Sequence, residues 1–165
     1  MTLPAAVTPP TKADRELLAF ANSAEFAARD LYAAAAALPA FNDEEKAMLV
    51  GFHDHHRAAG QALAGTVGAI ATNVRSDDVF NAFRGRIQGS DKNSVFDALR
   101  ELENTLANTH LSLVGALEGT DGAALVASIL NIQARQSAAL AILAGRSLDD
   151  ALINAAESLA PGVGS

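Results

Sequence analysis

The chain has 165 residues, a formal charge of −7, no cysteine, 50% hydrophobic residues and only 19% charged ones, a globular composition of one domain's size. The acidic balance leaves no basic stripe for a nucleic-acid partner or an anionic membrane surface. The absence of cysteine removes disulfides, thiolate nucleophiles and cysteine-held metals.

No apolar run approaches the roughly 18 residues that a membrane span needs, so no membrane insertion is expected. No basic n-region precedes an apolar h-region, so no signal peptide is expected in this sequence. The opening MTLPAAVTPP suits a cytoplasmic start as well as a linker left after removal of an export signal. The compartment stays open. The apolar content is dominated by Ala and Leu, both strong helix formers, and the expected fold is all-α with closely approaching helices.

Residues 1–11 carry Pro4, Pro9 and Pro10 and are expected to form a flexible N-terminal segment ahead of a bundle over 12–160. Thr11 can cap a first helix reaching about Ala37, with Leu17, Leu18, Ala21, Ala24, Ala28, Leu31 and Ala35 at helical spacing. Pro39 stops it. Asn42 or Asp43 opens a second helix to the Gly65–Gly68 region, and Glu44 and Glu45 in its first turn complement the helix dipole.

A long connection over about 69–93 carries Val79, Phe80 and Phe83 in a short amphipathic pattern, followed by Gly85, Gly89, Ser90 and Asp91 as breakers. A connection of this length can cross over a bundle whose second and third helices run parallel. A third helix is expected from Ser94 to Leu117, and a fourth from Asp121 to Ala144, ended by Gly145. Ser147 with Asp150 is a loose capping box for a last short helix to about Leu159. Residues 161–165 read as a flexible tail.

Polar side chains recur near the middle of all four long helices. A buried polar group without a partner costs on the order of 1–3 kcal/mol, so several at one level imply a network, a metal or a cavity. Glu25 is flanked by small residues, and a carboxylate there can ligate a cation or pair on the surface with Arg29 one turn on. His53 and His56 share a helix face and can meet one metal, while Asp54 and His55 point elsewhere. Glu103 lies between Leu99, Leu102 and Leu106. His110 follows one heptad later and reads equally as a satisfied core histidine. Gln133 and Gln136 also share a face, and neutral amides are better hydrogen-bond partners for a carboxylate than metal ligands.

Together, Glu25 and Tyr32, His53 to His56, Glu103 and Gln133-Ala134-Arg135-Gln136 resemble the ferritin-like superfamily. The frame Ile129-Leu130-Asn131-Ile132-Gln133-Ala134-Arg135-Gln136 is similar to bacterial ferritin-like domain proteins whose fourth helix carries Ile-Leu-x-x-Glu-Ala-Arg-His. The resemblance covers about residues 12–145. It implies a ferritin-like four-helix bundle with a long connection between helices 2 and 3, a short C-terminal helix and a carboxylate-bridged di-iron site. Glu25 and Glu103 stand at the two single-Glu positions. Gln133 and Gln136 stand where Glu and His are expected. In the second helix either His53 replaces the Glu and His56 is the His, or His56 takes the Glu place and Ala59 the His place.

Two carboxylates give too little negative charge to hold two close cations. The first expectation is therefore a degenerate di-iron site with no cofactor and no catalytic residue, in a binding or structural module. Its Ala-rich helix faces would meet a second copy or another protein. The alternative is a mononuclear zinc, copper or iron protein using Glu25, His53, His56 and Glu103. A di-iron oxidase with substituted ligands is the third reading. No nucleophile or phosphate loop competes.

Overall fold

The computed structural model describes residues 8–160, and the chain is all-α. The tail expected over 161–165, and the first seven residues of the expected N-terminal segment, lie outside the described residues. Residues 8–11 run non-helically against the start of the last long helix, with the Thr8 amide donating to Thr120 Oγ1 at 3.1 Å.

The helices are α1 (Lys12–Ala36), α2 (Asp43–Val67), α3 (Asp77–Ile87), α4 (Lys92–Ala116), α5 (Thr120–Leu143) and α6 (Leu148–Ala151), with one 3₁₀ turn over Gly68–Ile70. Their starts follow local chemistry. Thr11 with Asp14 and Asn42 with Glu45 form reciprocal capping boxes, and the Asp91 carboxylate caps α4. Asp14 has a second role: its carboxylate also accepts from the Glu118 and Gly119 amides at 2.9 Å each. It thereby ties the α4–α5 turn to the start of α1. These amides, Glu118 foremost, hold the Asp14 carboxyl below the usual range.

Two apolar clusters reveal the topology. One joins Leu18 of α1, Leu63 and Val67 of α2, Leu113 of α4 and Val126 of α5. The other joins Leu31 and Ala35, Leu49, Phe96 and Leu99, and Leu140 of the same four helices. So α1 and α5 run one way, and α2 and α4 the other. Because α2 and α4 are parallel, residues 68–91 must return the length of the bundle. On the way Ser76 donates its amide to Ser23 O at 2.8 Å, and Val79, Phe83 and Ile87 of α3 join the second cluster, packing on α1 and α4.

Ala21, Ala24, Ala27, Ala28 and Ala35 are fully covered inside the chain, where their small side chains let α1 pack closely on its neighbours. One expectation changes here. The last helix ends at Ala151 rather than near Leu159. Beyond it, Asn154 and Asn108 exchange side-chain hydrogen bonds, and the Leu159 amide donates to Thr109 Oγ1 at 2.9 Å. With the Asn108 amide also donating to Ala156 O, two backbone groups of this non-helical stretch find partners on α4 in place of helical ones. Among the described residues no helix is long and apolar enough to cross a membrane.

Candidate functional site

Between the two apolar clusters lies a polar layer, one or two side chains from each long helix. Glu25 (α1), His56 (α2), Glu103 and His110 (α4) and Gln133 (α5) are all buried. The sequence seals them locally. Ala21, Ala24 and Ala28 neighbour Glu25, and Leu99, Leu102 and Leu106 neighbour Glu103, each fully covered.

His56 is the centre. Its Nδ1 lies 2.8 Å from Glu25 Oε2 and its Nε2 2.9 Å from Glu103 Oε1. Burial pushes the imidazole toward the neutral form, but the charges of Glu103 and Glu25 and their hydrogen bonds override it and raise the pKa to about 10. His56 is therefore an imidazolium donating from both ring nitrogens. Tyr32 stacks on its ring at a centroid distance of 5.1 Å and donates its hydroxyl to Glu103 Oε1 at 2.5 Å. Burial, then Glu103, then Glu25 hold the Tyr32 phenol well above its ordinary value.

Glu25 accepts on its other oxygen. Gln133 Nε2 donates to Glu25 Oε1 at 2.7 Å, which turns Gln133 Oε1 toward His110 Nδ1 at 2.8 Å. An amide oxygen only accepts, so His110 carries a proton on Nδ1. His110 Nε2 is 3.5 Å from Glu25 Oε1 and, with Glu103 Oε2, has no hydrogen-bond partner among the described residues.

Gln136, one turn beyond Gln133, is buried and points outward from the layer: its Nε2 meets His55 Nδ1 at 3.0 Å, and its Oε1 is unpartnered. Glu25, His56, Ala59, Gln133 and Gln136 line a small, partly open cavity of about 10 Å³, at the lower limit for one water molecule.

Of the residues expected to meet a metal, Glu25, His56 and Glu103 come together, with Gln133 beside them. His53 does not join them. Its ring is partly exposed and meets the neighbouring Asp54 carboxylate at 3.1 Å; it stands nearly a turn before His56 and about 60° around the helix from it. The geometry thus favours the register with His56 in the Glu place and Ala59 in the His place. The surface pairing of Glu25 with Arg29 is also absent; Arg29 pairs with Asp30 at 2.7 Å and covers the Phe26 ring. His55, expected to be solvated, is exposed, and its Nδ1 meets Gln136 Nε2. Tyr32 was the member missing from the expected ligand set. Its position one heptad after Glu25 on α1 carried the signal.

The donor set does not fit the di-iron centre that the resemblance implies. Two carboxylates stand at this level, and one oxygen of each already faces a His56 ring nitrogen. The two amides are neutral and do not supply the missing charge. Among the described residues no group of three or more His, Cys, Asp or Glu side chains has a metal-holding arrangement.

No curated protein and no solved structure matches the chain. The sequence profile of the ferritin-like domain family matches residues 13–146, a span that takes in the polar layer and the four long helices except Lys12 at the start of α1. On that match, and with parallel α2 and α4 joined by a long crossover, the chain belongs to the ferritin-like domain family.

Proposed function

We propose that this is a ferritin-like bundle that has exchanged its di-iron centre for a buried imidazolium, and that it works as a non-catalytic binding or structural module. One observation carries the reading: His56 bridges Glu25 and Glu103 through both ring nitrogens. In that position a proton on a side chain provides the positive charge that two inward carboxylates require. The amide of Gln133 then extends a hydrogen-bond network from Glu25 to His110 rather than a ligand shell.

The test is metal content per chain for protein purified without chelator, repeated after incubation with excess Fe²⁺ or Zn²⁺. The expected result is no bound metal and an unchanged melting temperature. Near-stoichiometric metal that disappears in Glu25→Ala would overturn the reading.

A second reading keeps one divalent zinc, copper or iron ion on Glu25, His56 and Glu103. The unpartnered Glu103 Oε2 and His110 Nε2 favour it, and His110 replaces His53 as the second imidazole. It predicts metal uptake accompanied by proton release from His56. A di-iron oxidase with substituted ligands requires oxygen consumption on Fe²⁺ addition, and a flat trace beside a working ferritin excludes it.

A further inference from the structure

Outside the polar layer, between α2 and α5, lies an open pocket of about 460 Å³ lined by Phe52, His55, Ile132, Arg135, Gln136 and Ala139. Its volume is within the range of small-molecule sites, and its mix of apolar wall with a few polar groups is typical of them. We propose that this pocket binds a small organic carboxylate with an apolar or aromatic body and a hydrogen-bond donor. The inference goes beyond the metal-free reading and does not depend on it, since no wall residue belongs to the Glu25–His56–Glu103 bridge.

Charge points to an anion. The chain carries 19 acidic and 12 basic residues, yet among the described residues no acidic side chain lines this pocket and Arg135 is its one charged wall residue. Among the described residues Arg135 has no ion-pair partner. A planar guanidinium suits a carboxylate, which it can hold with two parallel hydrogen bonds.

Hydrogen bonding adds a second donor. Gln136 Nε2 can only donate, so His55 Nδ1 accepts at 3.0 Å and the ring proton stands on Nε2. The His55 ring is also held nearly parallel to Phe52, at a centroid distance of 6.3 Å. His55 is thus presented in one tautomer with its N–H free, and Phe52, Ile132 and Ala139 offer the apolar surface.

Gln136 supplies the independent observation. The residue is 4% exposed, lines both this pocket and the small inner cavity, and leaves Oε1 buried without a partner. A buried acceptor left open is costly. A ligand donor that reached it from this pocket would satisfy it while Nε2 keeps its bond to His55.

The experiment is an NMR titration of ¹⁵N-labelled full-length protein in chelator with 4-hydroxyphenylacetate, against its neutral amide and against tyramine. The acid is expected to shift the backbone and side-chain signals of His55, Arg135 and Gln136 and to bind at least about tenfold more tightly than the amide. Tyramine is expected not to bind. Arg135→Gln, at an exposed position, should keep its melting temperature and lose the preference for the acid. Ala139→Leu should weaken acid and amide together by filling the wall. No localised shifts with the acid, equal binding of acid and amide, or an unchanged preference in Arg135→Gln would each overturn the proposal. Metal found in the buried layer would overturn only the metal-free reading and would leave this result standing.

Discussion

Tyr32 and His56 share one acceptor. Glu103 Oε1 receives the Tyr32 hydroxyl at 2.5 Å and the His56 Nε2–H at 2.9 Å, while Oε2 of the same carboxylate has no hydrogen-bond partner among the described residues. The carboxylate is thus turned so that one oxygen faces both the phenol and the cation. Its orientation, as much as its charge, is part of what holds the layer together.

The first consequence is a pH dependence with a definite sign. The folded-state pKa of His56 is raised from 6.5 to about 10, so its contribution is complete below about pH 6.5 and fades as pH rises toward about 10. Glu25 and Glu103 face the ring from α1 and α4, and Tyr32 stacks on it. Denaturant midpoints measured across this interval should fall with pH. His56→Ala should remove that slope and destabilise the fold by about 3–5 kcal/mol, by leaving two buried carboxylates without their cation. A His56 ring that titrates near neutrality by NMR would contradict this.

Tyr32 is the single tyrosine of the chain, which makes it an optical probe. Its phenol should not ionise in the folded protein at the pH where free tyrosine does, because burial and Glu103 oppose the charge. Absorbance of phenolate should therefore appear only together with unfolding. Tyr32→Phe should cost about 1–3 kcal/mol, by removing one partner of a buried carboxylate.

Restoring a carboxylate at position 133 tests the charge balance. Gln133 Nε2 donates to Glu25 Oε1 at 2.7 Å, so Gln133→Glu sets two carboxyl groups against each other and pushes one of them to hold a proton. The variant should melt lower than the parent at neutral pH and recover part of the loss in acid. Added Zn²⁺ or Fe²⁺ should raise its melting temperature while leaving the parent unchanged.

The layer also depends on how closely α1 approaches α2. A Cβ on Gly60 would lie 2.7 Å from Phe26 Cε1, and the Gly60 carbonyl accepts from Asn22 Nδ2 at 2.7 Å. Gly60→Ala should therefore destabilise by about 1–3 kcal/mol through overpacking. On the same helix a Cβ on Gly51 would meet nothing within 4 Å, and Gly51→Ala should stabilise by about 0.5–1 kcal/mol. Chemical denaturation of the two variants gives the comparison directly.

Much of this was legible in the chain itself. Helical spacing, the Thr11 and Asn42 caps and the breakers at Pro39 and Gly145 set the long helices to within a few residues, because these are local interactions. The 69–93 connection announced a crossover by its length. The last helix was overestimated because its end depends on Asn108 and Thr109, which are 46 and 50 residues from their partners.

The sequence by itself determined the four-helix frame and the level at which polar residues enter it, since both follow from periodicity along one chain. Only the tertiary structure decided which histidine turns inward. His53 and His56 are equivalent in spacing, and the choice rests on carboxylates that approach from α1 and α4. It also decided that both ring nitrogens of that histidine face a carboxylate oxygen, and that is a relation between helices no single stretch of sequence contains.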